Sequence, residues 1–202
     1  MDSHIKALYP QKDIVSLRTL NDSSRENKIG FRELIKSGLR NNPDWMIVAE
    51  TRGDEAYDML QSALTDHSII TTVHARGAEA IPSRILSMIG QGYQINERLV
   101  GRDITDVLKI GIYMTIEETE NGMERYIREI VEFVDFTDNG VLVNPLYRVK
   151  KDFDPDKGVY KKRVEVRPLT KELVDNLTYK RVFHLIPEIF LPKSKEERRV
   201  AQ

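Results

Sequence analysis

Trp45-Met46-Ile47-Val48-Ala49-Glu50-Thr51-Arg52-Gly53 is the stretch on which the fold turns. Its first five residues are apolar without a break and too few for a helix, which suits a parallel strand covered on both faces. Gly53 permits a tight turn, and Asp54 is placed to cap the helix that follows. Ala56, Met59, Leu60, Ala63 and Leu64 give that helix an inner face. Ile69-Ile70-Thr71-Thr72-Val73 then reads as a second buried strand. Strand, helix and strand within about thirty residues make a βαβ crossover.

Working outward, Phe31, Leu34, Ile35 and Leu39 recur at helical spacing, with Arg32, Glu33, Lys36 and Arg40 on the polar face. Pro43 ends that helix, because its ring forces the preceding residue out of the helical region. Residues 13–17 are expected to form a short strand and 18–30 a polar loop. Downstream, a helix over about 78–90 is expected to set Ile81, Ile85, Leu86 and Ile89 against the sheet, with Met59, Met88 and Met114 as core filler. Residues 107–116 and 126–136 are strand-like and joined by a polar turn at 117–123, with 141–143 adding to them. These predict an antiparallel extension of the sheet. A charged stretch over 150–167 carries a turn at 154–158. Residues 170–177 suggest a short helix capped by Thr170, and the charged tail from Pro192 is expected to fray.

The totals exclude several functions. The 202 residues contain no cysteine, which removes disulfides, iron–sulfur clusters, thiolate zinc sites and cysteine nucleophiles. The net charge of -1 advertises no nucleic-acid partner. No apolar run approaches the ~20 residues that span a bilayer, and Met1-Asp2-Ser3-His4 opens no signal-peptide pattern. A cytoplasmic chain is the expectation.

In an open parallel sheet, ligands sit beyond the carboxyl ends of the strands. The first strand stops at Glu50-Thr51-Arg52-Gly53 and the second at His74-Ala75-Arg76, so an acid, two arginines and a histidine fall on one edge. An acid directly after a buried apolar strand is the pattern of a Walker B element, whose carboxylate holds magnesium through water or orients the attacking water. A polar residue where a strand reaches solvent gives the same pattern. Arg52 either neutralises phosphate charge or pairs with Glu50. His74 and Thr72 are placed to donate to a γ-phosphate, or His74 simply terminates the strand. His67 and His74 do not read as a zinc pair, since a strand of this length holds the two rings at opposite ends.

The ordered run from Gly30 to Gly53, then 54–64, Thr65-Asp66-His67 and Thr71-Thr72-Val73-His74-Ala75, closely resembles the Walker B region and histidine box of the type II/IV secretion ATPases. It is most similar to the branch serving Flp-type pili, type IV secretion and conjugation. The likeness runs in order from about residue 14 to residue 88. It extends more loosely to Tyr126-Ile127-Arg128-Glu129-Ile130-Val131-Glu132. The resemblance implies an α/β fold, a RecA-like P-loop core fragment with an antiparallel strand extension. It divides the chain into a partial ATPase core at 1–92, a strand-rich completion at 93–149 and a variable region at 150–202. It implies Glu50 and His74 as catalytic residues, with Glu50 holding Mg2+ through water. Arg52, Thr72, His67 and Arg40 are implied as nucleotide-binding residues, with ATP and Mg2+ as cofactors. A hexameric ring docked on an inner-membrane platform protein, peripheral to the membrane and without direct nucleic-acid contact, would be the working form.

Three departures accompany the likeness. Ala49 stands where the family has glycine before the Walker B glutamate, and Asp66 where it has glycine before the first box histidine. Arg18 and Leu20 replace the family's usual acid-then-arginine. A P-loop also needs Gly-x-x-x-x-Gly-Lys-Ser/Thr, whose amides and lysine hold the phosphates, and no such run occurs in the 202 residues. The expectation is therefore half an active site, unable to hydrolyse ATP alone, with the P-loop and the acidic box upstream of Met1. The alternative expectation is a P-loop-less assembly or regulatory partner of a full-length ATPase. With the P-loop strand missing, the two parallel strands should have an unpaired edge, leaving the isolated chain marginal or prone to associate.

Overall fold

The computed structural model describes residues 7, 8, 10, 12–19, 29–65, 67–119, 122–156 and 158–192. The expected frayed tail and most of the 18–30 loop lie outside the described residues.

The central element of the reading is present. Strand β1 (Trp45–Val48) pairs in parallel with β2 (Ser68–Thr71), in the register Trp45↔Ser68 to Val48↔Thr71, and helix α2 (Ala56–Ala63) connects them. Helix α1 (Phe31–Leu39) precedes β1. It is terminated by Asn42, whose φ of 46° lies in the left-handed region, one residue before the proline. Ile35, Val48 and Met59 form a small core with Phe31, Leu39, Met46 and Ile69, so α1 and α2 cover one face of the ribbon. The other face is bare, with Trp45 58%, Ile47 47% and Ile70 50% exposed. The expectation of strands covered on both faces is thus corrected.

Three further corrections concern local structure. Residues 13–19 form no strand. Asp54 does not cap α2; the carboxylate of Glu55 instead accepts the backbone N–H groups of Arg52 (2.8 Å) and Gly53 (3.1 Å). Leu64, expected inside, is exposed.

A short 3₁₀ turn (Ala78–Ala80) leads into α3 (Ile81–Gly92), and α4 (Glu97–Val107) follows, capped by the Asn96 side chain, which accepts from the N–H of Leu99. The main core joins Ile85, Leu86, Met88 and Ile89 of α3 to Ala56, Leu60, Ile104 and Phe136. Helix α3 therefore packs against α2, α4 and an antiparallel strand rather than against the parallel ribbon.

Strands β3 (Ile110–Thr119), β4 (Gly122–Thr137), β5 (Gly140–Asp154) and β6 (Val159–Val166) form an antiparallel sheet in chain order. It is a separate sheet, not an extension of β1–β2. The expected domain limit at 149/150 falls inside β5, and β6 pairs with β5 through Tyr147↔Val166 to Asp154↔Val159. Met114, expected in the core, is 60% exposed. Thr170 caps α5 (Lys171–Tyr179) as expected, its hydroxyl accepting from the N–H of Leu173. The buried Glu132 carboxylate anchors this helix by accepting from the N–H of Thr170 at 2.9 Å, from the Thr170 hydroxyl, and from Asn144 at 3.0 Å. Among the described residues no helix is long and apolar enough to cross a membrane.

Candidate functional site

The carboxyl ends of β1 and β2 are tied together by threonines. The N–H of Thr51 donates to the carbonyl of Thr72 at 2.9 Å, and the Thr72 hydroxyl donates to the carbonyl of Ala49 at 2.6 Å. Thr51 is buried, with its hydroxyl 2.8 Å from that of Thr71 and donating to Sδ of Met59 at 3.4 Å. These bonds carry the pairing past the last ladder residues and hold residue 50 beside residues 72–74.

Glu50 is thereby set between the side chains of Arg52 and His74. Arg52 donates from Nη2 to Glu50 Oε2 at 2.6 Å, and His74 Nε2 lies 3.1 Å from Oε1. The Arg52 hydrogen bond holds the Glu50 carboxyl below the usual carboxylate range, with His74 adding a smaller electrostatic contribution against the opposing effect of burial. Oε1 itself is buried and receives no hydrogen bond of ordinary geometry. An ionised oxygen without a regular donor is suited to accept from a water or a ligand. The imidazole of His74 and the guanidinium of Arg52 both stand largely in solvent.

Of the residues expected at the site, Glu50, Arg52, Thr72 and His74 converge on this edge. His67 and Arg40 do not. His67 immediately precedes β2, where the N–H of Ser68 donates to the carbonyl of Asp44, and Arg40 ends α1 ahead of β1. Both belong to the amino end of the ribbon, a strand length from Glu50. Sequence reasoning missed Thr51, whose hydroxyl locks the strand ends, and Glu55, whose carboxylate shapes the turn after Arg52. The glutamate three residues beyond Arg52 was the available signal for Glu55. No cluster of three or more His, Cys, Asp or Glu that could hold a metal occurs among the described residues. A cleft of about 450 Å³ lies elsewhere, on the antiparallel sheet beside Glu117, Tyr126 and Arg148, and is lined by none of the expected site residues.

Residues 9–102 match the family model described as type II/IV secretion system protein. Over those residues the chain is similar to the type II/IV secretion system proteins. The matched segment contains every candidate site residue. An uncharacterized protein of Bacillus anthracis is 31% identical over 145 residues, covering 69% of this chain and 32% of that protein. The type IV secretion system protein VirB11 of Brucella suis is 31% identical over 101 residues, 48% of this chain and 28% of VirB11. Among solved structures, the VirB11 ATPase of the Brucella suis type IV secretion system, in complex with sulphate, aligns at 28% identity with a TM-score of 0.46, covering 52% of this chain and 32% of that one. The chain thus spans about a third of the length of the relatives it matches.

Proposed function

We propose that this chain supplies the Walker B and histidine-box half of an ATP-hydrolysing site in a motor for type IV secretion, pilus assembly or conjugative transfer. The observation that carries this is Glu50, kept ionised at the end of β1 with Arg52 on one oxygen and His74 beside the other. The carboxylate orients a water or a water-bound cation, Arg52 compensates charge on a phosphate brought to the same edge, and His74 donates a hydrogen bond there.

The buried, unbonded Oε1 of Glu50 fits magnesium. That ion keeps several waters and takes one or two carboxylates together with substrate phosphates, rather than a cage of protein ligands. When bound it would neutralise phosphate charge. Arg52 and His74 would lie beside a nucleotide held at this edge, whereas the Thr72 hydroxyl, which donates to the carbonyl of Ala49, would not donate to it. His67 and Arg40, at the other end of the ribbon, would reach a nucleotide only if it were held against a second protomer, as in a hexameric ring.

The RecA-like core reading is supported by the parallel ribbon and its connecting helix. Peripheral attachment to an inner-membrane platform protein from the cytoplasmic side belongs to the same reading. Because the 202 residues contain no P-loop run, they are not expected to turn over ATP alone. The same observation favours a second reading, a regulatory partner of a P-loop-bearing ATPase.

ATP turnover by the 202-residue chain and its Glu50→Gln variant tests the first point, and none above background is expected in either. Turnover abolished by Glu50→Gln would mean that phosphates are held without a P-loop. In a protein carrying these residues together with a P-loop, Glu50→Gln should lower kcat about 10²–10⁴-fold, and an unchanged kcat would refute the role of Glu50. If adding the wild-type 202-residue chain to such an ATPase changes its rate, and Glu50→Gln in the added chain makes no difference, the regulatory reading is favoured.

A further inference from the structure

We propose that Glu129 and Arg148, on the antiparallel sheet, are positioning residues for His74, so that the placement of this sheet is read out at the nucleotide edge. The inference rests on the reading of Glu50 and His74 given above and adds a means of regulating that site.

His74 sits in a short connection with two different anchors. Its upstream end, Thr72, is bonded through both its carbonyl and its hydroxyl to the end of β1. Its downstream end, Ala78, is completely buried with Val131 and Phe133 of β4. The Ala78 N–H donates to Glu129 Oε2 at 3.1 Å. Only residues 73–77 lie between these anchors, and the side chain of His74 itself is 91% exposed, so it has little packing of its own to fix it. Its approach to Glu50 is therefore set by where the two ends of the connection are held.

The Glu129 anchor is built as a unit. Glu129 is 17% exposed. Arg148 of β5 pairs through Nη2 with Glu79 in the 3₁₀ turn and brings Nε within 3.9 Å of Glu129 Oε1. One guanidinium thus spans the carboxylate that holds Ala78 and the carboxylate next to it in sequence. Gly77 is matched to this arrangement, because a Cβ there would lie 3.2 Å from Glu129 Oε2, tighter than ordinary contact. A carboxylate accepting a backbone N–H beside an arginine makes a strong, directional bond. It joins residues 51 apart in the chain, across the gap between two sheets that share no ladder. A shift of the antiparallel sheet relative to β1–β2 must be taken up within residues 73–77, where His74 is.

The test follows the ring resonances of His74 by NMR in the 202-residue chain, using their response to Glu50→Gln as the readout of the Glu50–His74 contact. In the wild-type background Glu50→Gln is expected to shift the His74 signals. Absence of that response would overturn the reading of the site, and the present proposal with it. With the response established, Glu129→Ala should abolish it while the remaining amide spectrum and the melting curve stay cooperative. Glu129→Gln keeps an acceptor for the Ala78 N–H and should restore the response. A full response retained in Glu129→Ala would overturn the positioning role and leave the site reading intact. Should Glu129→Ala fail to fold, Arg148→Met carries the same comparison, with a weakened response expected and an undiminished one counting against the proposal.

Discussion

Gly101→Ala in α4 should destabilise the protein, against the usual gain of about 1 kcal/mol when alanine replaces glycine inside a helix. A Cβ at residue 101 would lie 2.5 Å from Cγ and 2.6 Å from Cε1 of Phe136, where carbon atoms rest at about 3.5–4 Å. The ring cannot swing away, because Phe136 is 8% exposed and belongs to the core containing Ile85, Leu86, Ile89 and Ile104. Either α4 moves off β4 or the core repacks, and overfilling of this kind costs about 1–3 kcal/mol. An overlap of about 1 Å, judged against that contact distance, argues for the upper end of the range. Subtracting the helix gain leaves a net loss of about 2 kcal/mol. At about 2–4 °C per kcal/mol for a chain of this size, Tm should fall by about 4–8 °C. Thermal and urea melts followed by circular dichroism measure this. Adding Phe136→Leu should recover part of the loss specific to Gly101→Ala, as coupling between contacting residues requires. A Gly101→Ala variant that melts at or above wild type would refute the close approach of α4 to β4.

Other substitutions probe other parts of the molecule. Glu132→Ala leaves three donors on Thr170 and Asn144 without their acceptor and should cost about 3 kcal/mol, with α5 released first and detected as early proteolytic cleavage beyond residue 167. Hydrogen bonds from Lys151 and Lys162 hold the Glu117 carboxyl well down, from its ordinary 4.5 to about 2. Its folded pKa lies below its unfolded one, so the stabilisation is full above about pH 4.5 and lost as the pH falls toward 2; Glu117→Gln should flatten the acid limb of the stability curve in that window. Thr51→Val removes the buried hydroxyl joining Thr71 and Met59 and should cost about 1 kcal/mol in urea unfolding.

What could be read from the sequence, and what could not, divides along the range of the forces involved. The ribbon, its connecting helix and the placement of Glu50, Arg52, Thr72 and His74 follow from apolar runs that stop at polar residues, which is local information. Helix α4 went unread because Gly101 and two aspartates, Asp103 and Asp106, break its pattern, although Asn96 is a strong cap. The bare face of Trp45, Ile47 and Ile70 was also hidden, since the same apolar run describes a strand covered on one side or on both. Within the site, the convergence of Glu50, Arg52 and His74 on one edge was legible from where the strands stop, whereas the Glu129 bond to Ala78 spans 51 positions and leaves no periodic trace. Residues 150–167 read as a charged stretch because β6 carries Lys161, Lys162 and Arg163 in a row on an exposed edge strand, where charge blunts unwanted pairing.

The two-stranded ribbon also bears on timescale. A pair of four-residue strands packed on one side only is near the lower limit of what holds together in water, whereas Val131 and Phe133, at most 1% exposed, lie in the middle of a four-stranded sheet. Local opening at residues 45–48 and 68–71 should therefore need less free energy than global unfolding, and their amides should exchange with deuterium well before those of 131–133. The edge carrying Glu50 would then open and close many times during the lifetime of the fold that supports it.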